Sequence, residues 1–147
     1  MPSIVRTRRA FASGRIWGED EHLRHFEETS PVPLVDPSDH PLPGINGSHG
    51  VRCQKPDGSY LGCDFIWLRP SSAFPMHKHE GDHILYIIEG RGFVHIDGRD
   101  IAVRAGHVIH IPAEHPHRVW TADSHLLIAA TGHPHKEVHA PDRMSLA

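Results

Sequence analysis

Pro75-Met76-His77-Lys78-His79-Glu80-Gly81-Asp82-His83-Ile84-Leu85-Tyr86-Ile87-Ile88-Glu89-Gly90 is the stretch on which the reading of this chain turns. Side chains alternate across a strand, so His77 and His79 share one face with their rings close enough to chelate a single ion. Gly81 and Asp82 supply a turn after the pair, and the apolar run that follows reads as a strand bringing His83 back to that ion as a third ligand. Ile84 to Ile88 is apolar on both faces, so this strand is expected to be covered on both sides. Downstream, Ala105-Gly106-His107-Val108-Ile109-His110-Ile111-Pro112-Ala113-Glu114-His115-Pro116-His117-Arg118-Val119-Trp120 reads as strand, proline-bounded turn and strand, and it offers His117 at the start of the second strand.

Outward from these segments the grammar is that of a small all-β domain. The chain has 147 residues with 13 Gly, 13 Pro, 38% hydrophobic and 22% charged residues. That length suits one domain, and the composition suits short strands and many turns. From Val51 on, strands are expected near 51–55, 60–69, 73–79, 83–89, 92–97, 100–104, 107–111, 116–120 and 124–131. Asp57-Gly58 and Asp97-Gly98 suit tight hairpins, and Gly90-Arg91-Gly92 and Ala105-Gly106 permit further reversals, so the pairing is antiparallel. Residues 1–45 read as an extended N-terminal arm, Pro-rich from Pro31 to Pro43, in which only Glu19 to Glu28 suits a short helix. The barrel is expected over 46–132 and a solvated C-terminal tail over 133–147. Cys53 and Cys63 flank the turn Pro56-Asp57-Gly58-Ser59, where a two-residue loop sets them out of register and a three-residue loop would pair them. Free thiols in a reducing cytosol are expected. The formal charge of −3 supplies no general attraction to nucleic acid or anionic lipid, and no apolar run approaches the roughly 20 residues of a membrane span. The basic stretch 6–15 reads as an arm rather than a targeting segment, which makes a cytoplasmic protein the expectation.

Sixteen histidines occur, twelve of them between positions 77 and 139. The two quoted segments resemble the cupin superfamily, small jelly-roll or double-stranded β-helix barrels with an HxH…Glu…Gly motif and a G…PxGxxH motif. His77, His79 and Gly90 match the first, and Gly106, Pro112 and His117 match the second. The resemblance covers roughly residues 60 to 131 and implies metal-ligand roles for His77, His79 and His117. Ser71 stands where the first motif opens with Gly, Glu114 replaces the Gly of PxGxxH, Thr121 replaces a frequent Asn, and His83 replaces the ligand Glu. Four neutral imidazoles would leave a divalent ion at its full formal charge and its bound water more acidic. Imidazole suits Fe, Mn, Ni, Cu or Zn, so the expectation is one divalent transition metal of unassigned identity.

The resemblance implies a metal-dependent enzyme on a small-molecule substrate, first a dioxygenase acting on an enol, phenol or alkene-like compound. The alternatives are a non-redox isomerase, cyclase or lyase, or a binding cupin without catalysis. Non-redox chemistry would need a positioned base, for which His110, His95 and Glu114 are the candidates. Trp67, Phe93 and Trp120 read as core aromatics, and His133, His135 and His139 as part of the solvated tail. The two-sided apolarity of Ile84 to Ile88 and the N-terminal arm point to a homodimer.

Overall fold

In the computed structural model, which describes residues 22–147, ten strands follow in chain order. They are β1 (Val32–Val35), β2 (Pro41–Gln54), β3 (Tyr60–Leu68), β4 (His77–Lys78), β5 (Asp82–Ile96), β6 (Arg99–Arg104), β7 (Val108–Ile111), β8 (His117–Trp120), β9 (Leu126–His133) and β10 (Ser145–Leu146). All pairings are antiparallel, in the order β1-β2-β3-β9-β5-β8-β4-β10, with β6 and β7 also on β5. This is the all-β jelly-roll barrel expected from the sequence.

β5 organises the barrel because it belongs to both walls. Its first half pairs with β9 and β7, its second with β6 and β8. A register shift between Ile87 and Glu89 changes which residues face inward. His83, Leu85 and Ile87 are buried before it, Val94 and Ile96 after it. A bulge bends the strand and re-aims its side chains, so the expected strands 83–89 and 92–97 form one bent element. Gly90 (φ +79°) sits at the bend, and a Cβ there would lie 1.9 Å from the His125 carbonyl oxygen, which leaves room for glycine alone. Between the walls pack Ile66, Leu68, Leu85, Ile87, Val94, Val119, Leu126 and Ile128. Complete burial of a single Ile or Leu such as Ile87 or Leu126 contributes about 1.5–3 kcal/mol.

Four expectations need correction. The sheet starts at Val32, inside the expected arm, because Leu34, Leu42 and Ile45 supply an inward face and β1, as an edge strand, tolerates Pro33. Of the expected helix, the described residues contain only a 3₁₀ turn at Phe26–Glu28; residues 19–21 lie outside them. The expected strand 73–79 reduces to His77–Lys78 and a single bridge from Ala73 to Trp120. Phe93 and Trp120 stack on one another at 4.2 Å on the outer, half-buried face, where the Trp120 indole donates to Asp100 (2.8 Å), and Trp67 is also only half-buried. Alternation from Val94 and Val119 inward leaves their neighbours outward. Cys63 pairs across from Val51 and Cys53 from Leu61, out of register with each other, and both thiols are free.

Ser71 and Glu114, the two residues that replace motif glycines, have φ of 59° each. The loops keep a left-handed conformation that suits glycine and costs another residue about 1–2 kcal/mol. Glu114→Gly should therefore raise stability by up to about 1 kcal/mol, read as a higher urea midpoint at unchanged slope.

Candidate metal centre

β4 is two residues long: His77 pairs directly across from His117 at the start of β8, and β10 holds β4 from the other side. Lys78 points away between the two histidines, so His77 and His79 face inward. The ring centroids of His77, His79 and His117 form a near-equilateral triangle of 4.9, 4.4 and 4.6 Å. One ring nitrogen from each lies within 4.8 Å of the other two. His77 Nδ1 donates to the Pro75 carbonyl (2.7 Å) and His117 Nδ1 to the His115 carbonyl (2.8 Å). Those bonds fix the tautomer and free each Nε2 lone pair for the cavity.

Burial keeps the rings neutral. It pushes His77 down to about 3, with the neighbouring His117 adding to the shift and the Pro75 carbonyl opposing it. His79 is driven well below the ordinary histidine range by burial and then by His83, and His117 is lowered by burial. Neutral imidazole is the form that ligates, so no proton has to leave before an ion binds. His79 Nδ1 is buried without a hydrogen-bond partner, an orphan of the kind coordination accounts for. The donor set therefore fits a divalent transition metal.

His83 lines the same cavity in a different way. Its ring lies 3.9 Å from that of His79 and within 4° of parallel. Imidazole lone pairs lie in the ring plane, so an ion in the plane of His79 sits off the plane of a ring stacked above it. The structure thus joins three of the four expected ligands and makes His83 a buried wall, pushed down to about 3 by burial and then by the Arg143 charge.

The expected bases lie elsewhere. His110 and His95 face outward, where they meet Asp82 (3.1 Å) and Asp100 (3.0 Å), because inward Ile111 and Val94 fix the parity of their strands. Glu114 is exposed beside Lys78 (3.7 Å). None of the three lines the cavity.

The tail is likewise not solvated. His135 is buried and bonds Asp64 through Nε2 (2.6 Å), while its Nδ1 accepts from Arg52 Nε (3.1 Å). The Arg52 bond makes Nε2 the protonated nitrogen, the donor to the carboxylate. Gly62 gives the ring its space, since a Cβ there would come within 2.5 Å of it. Beyond that anchor Val138, Arg143 and Met144 are buried, and β10 pairs with β4. The segment closes one side of a cavity of about 30 Å³ that is otherwise lined by Phe74, Leu85, Val119 and Ile128 as well as the histidines. Sequence reading missed Arg143 and Met144. The available signal was Asp64, which shares the inward face of β3 with Ile66 and Leu68 and so requires a buried partner. Asp64→Ala should cost about 3 kcal/mol and expose residues 133–147 to limited proteolysis, because it strands His135 and removes the charge nearest Arg143.

Residues 65–130 match the family model of the cupin domain. Over 53 residues the chain is 38% identical to the oxalate-binding protein of Thermotoga maritima, an alignment covering 35% of this chain and 44% of that one. The chain spans less than half the length of the curated relatives it matches. Among solved structures, the polyketide cyclase RemF of Streptomyces resistomycificus aligns with TM-score 0.61 at 21% identity, over 75% of this chain and 77% of that one. An RmlC-like cupin of Shewanella frigidimarina aligns with TM-score 0.61 at 20% identity, over 80% and 95%. Likeness at these identities concerns the fold. Among the described residues no helix is long and apolar enough to cross a membrane.

Proposed function

We propose, from the premise that this chain belongs to the cupin superfamily, that it is a metal-dependent enzyme acting on a small organic molecule. The observation that carries the reading is the triangle of neutral, buried imidazoles on the wall of a cavity that is lined elsewhere by apolar side chains, His83 and Arg143. His77, His79 and His117 would hold the ion, which supplies Lewis acidity or, if it is redox-active, dioxygen chemistry. The carbonyls of Pro75 and His115 keep two of the ligands in the binding tautomer. Phe74, Leu85 and the closing segment exclude bulk water, a setting that suits a dioxygenase on an enol, phenol or alkene-like substrate.

His83 supports the second reading, a non-redox isomerase, cyclase or lyase. It is a neutral imidazole in the cavity outside the ligand triangle, with its ring nitrogens as hydrogen-bonding groups beside the ligands. The test is metal analysis of protein purified without added metal or chelator, followed by a substrate screen on an oxygen electrode. About one redox-active ion per chain with substrate-dependent oxygen uptake is expected. A redox-inert ion and turnover without oxygen would favour the second reading, and protein that takes up no ion would overturn both.

We also infer a homodimer. Ile84, Tyr86 and Val108 stand 48%, 47% and 61% exposed on the outer face of β5 and β7, where the sequence led to an expectation of cover. Ile84→Glu should convert a dimer to a monomer in light scattering. Wild-type protein already monomeric at micromolar concentration would refute the inference.

A further inference from the structure

Of the three histidines in the closing segment, two have evident structural partners: His133 bonds Ser59 (3.1 Å) and His135 bonds Asp64 (2.6 Å). His139 has none. Its Nδ1 is buried without a hydrogen-bond partner, a condition shared among the described residues only by His79 Nδ1 in the metal centre. Against it stands His49 of β2, the two rings 5.0 Å apart and at 89° to one another. His49 falls in the register shift between Ser48 and Val51, so it faces no residue on β3, and the bulge turns it toward the closing segment. Glu137, two residues before His139, is the third donor. Arg52 holds its Oε1 (3.2 Å), while its Oε2 lies 3.7 Å from His49 Nε2.

These features suit a ligand better than a packing contact. Burial and then the neighbouring His49 lower the pKa of His139, so the ring is neutral, the form that ligates. No hydrogen bond fixes that ring, and a half-turn about Cβ–Cγ, which exchanges Nδ1 with Cδ2, loses no partner. The Arg52 bond to Oε1 is the kind of outer hydrogen bond that orients a ligating carboxylate. The three donors do not stand within 4.8 Å of one another as those of the triangle do. His49 and Glu137 are 52% and 53% exposed, however, so their side chains are free to turn onto an ion. Exposed histidine–carboxylate pairs elsewhere, such as His115–Asp97 and His125–Glu89, bring only one imidazole each. Two imidazoles and a carboxylate suit a borderline ion such as Zn²⁺, with water in the remaining positions. We propose that His49, His139 and Glu137 form a second divalent-metal site, which ties the closing segment to β2. It goes beyond the function proposed above and stands without it, since none of its donors lines the cavity of the triangle.

The experiment titrates the full chain with Zn²⁺ alone by equilibrium dialysis, with His117→Ala beside the wild type. Half-exposed donors hold an ion more weakly than buried ones, so the wild type should take up about one ion tightly and about one more at higher zinc. His49→Ala and His139→Ala should each lose the second ion and keep the first, and His117→Ala should do the reverse. In His117→Ala, zinc at about ten times its dissociation constant should slow cleavage within residues 133–147 by about 10-fold. A single zinc site abolished by His117→Ala, or a second ion that survives His49→Ala, would overturn the proposal. His49 is exposed, so that variant decides even if His139→Ala does not fold. Should the triangle take up no zinc, the wild type should still bind an ion that His49→Ala removes and His117→Ala keeps, so the two sites fail separately.

Discussion

His117→Ala should empty the metal centre, with metal content after dialysis falling from about one ion per chain to less than a tenth. Loss of an outer partner of a ligating histidine already costs 10–100-fold in affinity, and loss of the ligand itself costs at least about 100-fold. His117 is the only member of the triangle from outside the HxH pair, 4.4 and 4.6 Å from the two other rings, so no neighbour on its strand can replace it. His77→Ala should behave in the same way. His133→Ala should keep its metal, because the His133 ring bonds Ser59 (3.1 Å) and does not line the cavity of the triangle. His135→Ala should keep metal too, yet lose thermal stability, since its ring holds the tail to Asp64. Metal analysis beside a melting curve separates the cases. Similar metal losses in His117→Ala and His133→Ala would remove the triangle as the site.

The contrast between His83 and the other ligands marks how far sequence reading reaches. Strand alternation dictates that His77 and His79 share a face, and the spacing of the second segment brings His117 to meet them. The same logic brings His83 into the cavity, but its ring plane is a matter of rotamer and packing against Gly132, which alternation does not specify. His95 and His110 had a legible face all along, since Val94, Ile96 and Ile111 flank them with inward apolar side chains. The tail was harder. Residues 133–147 have no period, and their burial depends on contacts distant in sequence, Asp64 and Arg52 on His135 and β10 on β4. The Pro-rich β1 and the start of β2 failed for a related reason: an edge strand tolerates proline, and Leu34, Leu42 and Ile45 outweigh it.

Metal-free protein should lose stability steeply as the pH falls below 6.5. His77 and His83 have their pKa values lowered from 6.5 to about 3 in the folded chain, chiefly by burial. Above 6.5 neither the folded nor the unfolded chain binds a proton at these rings, so their contribution is fully present. Between 6.5 and 3 the unfolded chain takes up protons that the folded one refuses, and each ring then removes about 1.4 kcal/mol per pH unit. Below about 3 the folded rings protonate too and the loss stops growing. Asp64, held low by its bond from His135 against the opposing effect of burial, adds to the acid loss only below its ordinary range near 3.8. His79, lowered further still by burial, adds a third such ring and His117 part of a fourth, so together they take away about 4–5 kcal/mol per unit, and a domain of ordinary stability, about 5–15 kcal/mol, should unfold within a few units of neutrality. Melting temperature by circular dichroism in the presence of chelator should be nearly flat from pH 8 to 7 and fall continuously from 6.5 to 4. His83→Phe keeps a ring stacked on His79 without a titrating nitrogen, and should therefore reduce the slope by about a quarter to a third. A melting temperature that stays level between pH 6.5 and 5 would mean that the rings are already protonated or hydrated in the folded chain, and the neutral triangle on which metal binding rests would go with it.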